Sequence, residues 1–171
     1  MSGLAINSFP PVEPKQARVL IIGSMPGKAS LNAHQYYAHP RNAFWPILGH
    51  WLGFDATLPY EERLVQLQQH NVGLWDALYQ CERPSSLDAD IVKTSIVPND
   101  FAGWFVRHPH TRSVLCNGAA AFDNYRRKVR PTLSLSEQAL PVHKLPSTSP
   151  AHASLSFEQK KEQWRILLNY L

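Results

Sequence analysis

Between Tyr36 and Asn42 the chain packs Tyr36, Tyr37, His39, Arg41 and Asn42 into seven residues. Flat rings beside an amide and a cation can stack on a planar heterocycle and hydrogen-bond its edge, which is what a nucleobase pocket requires. Phe44 and Trp45 follow at once, but they sit in a helical apolar pattern and read as core. Upstream, an apolar run ending at Gly23 opens into Ser24, Met25, Pro26 and Gly27. Glycines at a strand end let backbone approach a ligand closely and leave N–H groups free for a leaving group or a phosphate. Alone, that turn carries little information. Downstream, Pro146, Ser147, Thr148, Ser149 and Pro150 form a short polar loop stiffened by proline, with His152 just beyond. His152 could contact phosphate or sugar, or simply cap the last helix.

Asp76 and Asn117 each end a short apolar run. Either could line a pocket; either could satisfy loop backbone, a common fate for these residue types. Arg83, in the loop after Asp76, is a candidate phosphate contact. Lys28 follows the glycine turn and reads as phosphate-facing or solvated rather than as a Schiff-base nucleophile. The eight histidines and two cysteines show no metal-ligand spacing, so no metal and no cofactor are expected. Neither a G-x-x-x-x-G-K-[ST] loop nor a G-x-G-x-x-G follows the first strand, which argues against a nucleotide-binding protein.

These residues need elements to position them. Arg18–Gly23, Val72–Asp76 and Ser113–Asn117 read as buried strands, and Gln138–His143 as a weaker one. Helices are expected over 42–52, 60–70, 99–106 and 119–129, and from the Ser156-x-x-Gln159 capping box to Leu171. Residues 80–86 read as loop, and residues 1–17, with three prolines, as an extended lead-in. Strands alternating with helices predict one three-layer α/β domain over 1–171, with a mostly parallel sheet of about four strands and helices on both faces. In such folds ligands bind beyond the carboxyl ends of the strands, which brings together loops 24–42, 76–88 and 145–152.

Composition agrees. The chain has 171 residues, 44% of them hydrophobic and 11% aromatic, which is enough for a real core. Seventeen Lys and Arg against thirteen acidic residues give a net charge of +4, which suits an anionic partner. No secretory leader and no apolar run of membrane-spanning length is present, so the expectation is a cytoplasmic monomer, nucleoid-associated if bacterial, with no membrane partner.

The two blocks together resemble a known family. Gly23–Trp45 resembles motif 1 of the mismatch-specific uracil-DNA glycosylases, G-I-N-P-G followed by F-A-H-P-x-N-x-F-W, with Tyr37–Trp45 in the second place. Ser30-Leu31 and Gln35-Tyr36-Tyr37 bring it closer to the hypoxanthine-DNA glycosylase branch of the uracil-DNA glycosylase superfamily. So does Leu145–Ala153, in the place of the second motif. The resemblance runs from Arg18 to Trp164 and implies a monofunctional DNA glycosylase of base excision repair, acting on damaged DNA. One departure matters: Met25 stands where the mismatch-specific relatives carry a catalytic Asn. A thioether cannot position water well. The hypoxanthine branch also lacks that Asn and relies on the Asn of its P-R-N segment, which is Asn42 here.

The resemblance therefore assigns roles. Asn42 orients water at C1′ and Tyr37 stacks the flipped base. Gly23, Ser24, Met25, Pro26 and Gly27, with Asp76 and Asn117, build the base pocket. Loop 146–150 enters the minor groove, with His152 beside it. Hypoxanthine stands first among deaminated bases and uracil second. A non-catalytic DNA-binding domain of the same fold is the alternative from another class.

Overall fold

The structure, a computed structural model, describes residues 3–171. In chain order the elements are β1 (Ala5–Asn7), β2 (Val19–Gly23), α1 (Lys28–Ala33), α2 (Phe44–Leu52), α3 (Tyr60–Gln69), β3 (Val72–Asp76), β4 (Leu78–Glu82), β5 (Val97–Pro98), α4 (Phe101–Arg107), β6 (Ser113–Asn117), α5 (Ala119–Asn124), α6 (Leu135–Gln138), β7 (Val142–Leu145) and α7 (Phe157–Trp164). Four of the strands make a parallel sheet in the order β3-β2-β6-β7. Val19, Leu20, Ile21 and Ile22 are all fully buried, because alternate side chains enter two different cores. Leu20 and Ile22 join Trp75, Val114 and Cys116 against α4 and α5. Val19 and Ile21 join Val72, Leu74 and Leu115 against α2, α3 and α7. This is the expected three-layer α/β domain.

The sequence reading departs from the structure at several places, among them the last helix, which is expected to reach Leu171 but is α-helical only over Phe157–Trp164 and continues as a 3-10 helix over Arg165–Tyr170. Residues 80–82, expected in a loop, belong to strand β4 (Leu78–Glu82). The lead-in is extended as expected, but β1 within it pairs antiparallel with β4, which pairs in turn with β5 to make a second sheet. β1, β4 and β5 are short and carry exposed positions, so none shows a continuous buried apolar run. Loop 24–42 contains α1, a helix too short for an apolar stripe. The last strand is Val142–Leu145, because Ser134 and Glu137 form a capping box that folds 135–138 into α6. The helix expected over 119–129 is α-helical only to Asn124 and continues as a π-helical turn, Tyr125–Val129, ahead of Pro131. Other details match: Ser156 and Gln159 form the predicted capping box, and Asp100 caps α4 through Gly103 N–H at 3.0 Å. Among the described residues, no helix is long and apolar enough to cross a membrane.

Candidate active site

All parallel strands end on the same edge, and a cavity of about 280 Å³ opens there. Its wall includes every pocket residue named from the sequence: Gly23, Ser24, Met25, Pro26 and Gly27 from the turn after β2, Tyr37 and Asn42, Asp76 from the end of β3, and Asn117 from the end of β6. Ser147, Thr148, Ser149 and Pro150 close one side. Pro146 and His152 are not in this wall. The Pro146 carbonyl accepts from Trp164 Nε1 at 3.0 Å, and His152 Nε2 lies 3.3 Å from Ser154 Oγ at the surface.

The aromatic block is built from the core outward. Tyr36 is 4% exposed; its hydroxyl donates to the Pro10 carbonyl at 2.9 Å, and its own carbonyl accepts from Trp45 Nε1 at 3.0 Å. That anchor presents Tyr37, which stacks on Phe44 with centroids 4.1 Å apart and planes 23° from parallel. Phe44 is wholly buried and Trp45 nearly so, as expected of core residues. Tyr37 has φ +55°, a left-handed conformation that costs a bulky residue about 1–3 kcal/mol. The stack on Phe44 holds it there. One ring face is thus covered by Phe44, and the ring lines the cavity, as a stacking platform must.

Asn42 lies at the mouth of α2. Its Oδ1 accepts from Phe44 N–H at 2.9 Å, and its own N–H donates to the His39 carbonyl at 2.9 Å. The first bond fixes the amide plane and leaves the second oxygen lone pair and Nδ2 for water or substrate. His39 Nδ1 accepts from Arg41 N–H at 3.1 Å, so the proton of the neutral ring sits on Nε2.

The two motif loops are tied together. Ala43 N–H donates to the Thr148 carbonyl at 2.9 Å. Asn117 grips Thr148 twice: its Nδ2 donates to Thr148 Oγ1 and its Oδ1 accepts from Thr148 N–H, both at 2.9 Å. Thr148 is 1% exposed, so the centre of this loop is wall, and Ser147 and Ser149 are its more open members. Gly118, at φ +97°, N–H-bonds the Leu145 carbonyl, and a Cβ there would press on Ser147.

The deep end is acidic. Asp76 is 4% exposed and its Oδ2 has no hydrogen-bond partner. Burial, with the nearby Asp88 carboxylate adding and Arg83 opposing, pushes its pKa up to about 7. A Cβ on Gly23 would lie 2.5 Å from Asp76 Oδ1 and 3.0 Å from the Tyr37 hydroxyl, so only glycine lets these groups converge. Tyr37 Oη is also buried without a partner, and desolvation with Asp76 nearby raises its pKa. Asp88, exposed as a residue, turns its carboxylate inward to accept from Ser24 Oγ at 2.6 Å; desolvation there raises its pKa. Arg83 does not reach outward to phosphate. It is 6% exposed, and its guanidinium donates to the Pro26 and Ser85 carbonyls, bracing the glycine turn. Lys28 lines the cavity, with its N–H on Ser86 Oγ at 2.9 Å.

Asp88 escaped the sequence reading. No motif contains it; only the fold of its loop, with Leu87 N–H on Ser85 Oγ, turns it toward Ser24. Among the described residues, no three His, Cys, Asp or Glu side chains cluster as metal ligands.

The chain is similar to known proteins in sequence and in fold. The chain is 39% identical over 113 residues to a hypoxanthine DNA glycosylase of Methanosarcina barkeri, covering 66% of this chain and 70% of that protein. It is 31% identical over 165 residues to a hypoxanthine DNA glycosylase of Methanosarcina acetivorans, covering 96% and 98%. The solution NMR structure of a candidate uracil DNA glycosylase from Methanosarcina acetivorans superposes with a TM-score of 0.79 at 31% identity, over 96% of both chains. The family model described as the uracil DNA glycosylase superfamily matches residues 10–169, and the chain belongs to that superfamily.

Proposed function

We propose that this chain is a monofunctional DNA glycosylase that hydrolyses the N-glycosidic bond of a flipped-out deaminated base, hypoxanthine before uracil. The observation that carries the reading is convergence on one cavity of a stacking ring (Tyr37 on Phe44), a held amide (Asn42) and a buried unpaired acid (Asp76). Its volume, about 280 Å³, sits near the lower end of ligand pockets, roughly 300–1,000 Å³. That suits one extruded base. The target atom is hidden in a duplex, so the nucleotide must swing out to reach the cavity.

The chemistry follows from the layout. Bond cleavage leaves positive charge on the sugar and negative charge on the base. Tyr37 stacks the base, Asn42 orients water toward C1′, and the Ser147–Pro150 wall faces the DNA. Lys28, which lines the cavity, is read as phosphate-facing rather than as a covalent nucleophile, so water is the attacking group and an abasic site the product. Hypoxanthine is put first because both glycosylase relatives above carry that name.

A base-release panel tests the proposal. Duplexes carrying deoxyinosine, deoxyuridine, deoxyxanthosine or a thymine opposite guanine are incubated in EDTA, and released bases and alkali-labile sites are quantified. Hypoxanthine release foremost is expected. Duplex binding with no released base would assign the chain to a non-catalytic DNA-binding role.

A further inference from the structure

The departing base takes with it the electron pair of the broken bond. That charge needs a donor, and in a closed cavity a positioned one lowers the barrier most. Neither the Asn42 amide, assigned above to the water, nor the Tyr37 ring face supplies a proton.

Asp76 is placed to do so. It ends β3 in the cavity wall, more than nine-tenths buried, and its Oδ2 is sealed in without a hydrogen-bond partner. Its backbone is locked: its carbonyl accepts from Asn99 Nδ2 at 2.8 Å, and the next residue's N–H donates to the Gly23 carbonyl at 2.7 Å. Gly23 clears the space beside the carboxyl. Arg83, a buried cation near it, donates through Nε and Nη2 to the Ser85 and Pro26 carbonyls and makes no hydrogen bond to Asp76, so it opposes the neutral acid only through its charge. Asp88 adds like charge from the facing loop, and the Tyr37 hydroxyl adds no positive charge. Lys28 and His39 line the same cavity but make no hydrogen bond to Asp76. An ionised carboxylate buried without a donor is costly, so this site favours the neutral acid.

We infer that Asp76 is the acid of the reaction, donating its carboxyl proton to a ring nitrogen or carbonyl oxygen of the departing base. The inference rests on the glycosylase reading above. In the step, the bond from C1′ to the base nitrogen breaks and its electron pair stays on the base. The base gains the Asp76 proton, water oxygen bonds to C1′, and the proton that water releases returns the carboxylate to its acid form through solvent. The products are the free neutral base and the abasic sugar.

The test is the pH dependence of single-turnover base release by the full chain, on whichever substrate the panel above identifies. The wild-type rate is expected to be flat at acid pH and to fall about tenfold per pH unit once the acid is ionised. Asp76→Asn keeps the shape and a hydrogen-bond donor but has no proton to transfer. It should cleave roughly 100-fold or more slowly on the acid plateau and lose the alkaline limb. His39→Gln should keep the limb. An independent readout is infrared titration of the free protein, in which a protonated-carboxyl band should vanish with rising pH and be missing from Asp76→Asn. Persistence of the limb in Asp76→Asn, its loss in His39→Gln, or an identical infrared band in wild type and Asp76→Asn would each overturn the assignment. If the wild type releases no base at all, the glycosylase reading fails instead, and the infrared titration still reports whether Asp76 holds its proton.

Discussion

Asn117→Ala separates a wall residue from a base-reading one. The side chain makes two hydrogen bonds to Thr148, one to its N–H and one to its hydroxyl. Thr148 stays in place without them, because its carbonyl still accepts from Ala43 N–H and Gly118 still holds Leu145. Both Thr148 groups are then left unpaired in a residue 1% exposed. Each such group costs about 1–3 kcal/mol, and water entering from the adjacent cavity moves the value to the lower half, so the loss is about 2–4 kcal/mol. For a domain of this size that corresponds to a fall in Tm of roughly 5–12 °C. Urea unfolding gives the free energy, and amide hydrogen exchange at Thr148 gives the local effect. The Thr148 amide should exchange slowly in the wild type and fast in the variant. A stability change below about 0.5 kcal/mol with Thr148 still protected would refute the clamp.

Asp76→Asn should also alter stability in a pH-dependent way. The folded protein binds the Asp76 proton more tightly than the unfolded chain does, so wild-type stability falls as pH rises from about 4 to about 7 and stays reduced above. The amide lacks that slope, so the variant should gain on the wild type by on the order of 4 kcal/mol across that window, read from urea midpoints at several pH values. Parallel stability curves would show that Asp76 ionises normally. Ser147→Glu places a carboxylate on the open part of the 146–150 wall. It should weaken binding to an abasic duplex several-fold at low salt and less at high salt, as titrations at two ionic strengths would show. Unchanged binding would remove this loop from the DNA interface.

Much of the fold is legible because the burial is two-sided. Val19–Ile22 and Val114–Cys116 are continuous apolar runs, which only a central strand between two helical layers requires. The second sheet is not legible: β1, β4 and β5 are short, half-exposed, and held by pairing between distant segments. In the site, Asp76 and Asn117 could be named because each ends a strand, and Tyr37 and Asn42 because one short segment packs rings, an amide and a cation together. Their division of labour could not. Asn117 and Arg83 turn inward to backbone, one to the 146–150 loop and one to the glycine turn, and such bonds leave no spacing signal. Asp88 is set against Ser24 only by the fold of its loop.

In the proposed reaction this cavity hydrolyses an N-glycosidic bond with water oriented by Asn42. Asn42→Ala tests it in a single experiment that measures both duplex affinity and the single-turnover cleavage rate on deoxyinosine DNA. Binding should change little, because Tyr37 remains on Phe44 and the 146–150 wall remains on Asn117. Cleavage should fall by roughly 100-fold or more, the scale of losing one positioned polar group. The opposite pattern, with affinity lost and the bound-state rate kept, would make Asn42 a base-recognition residue and contradict the account.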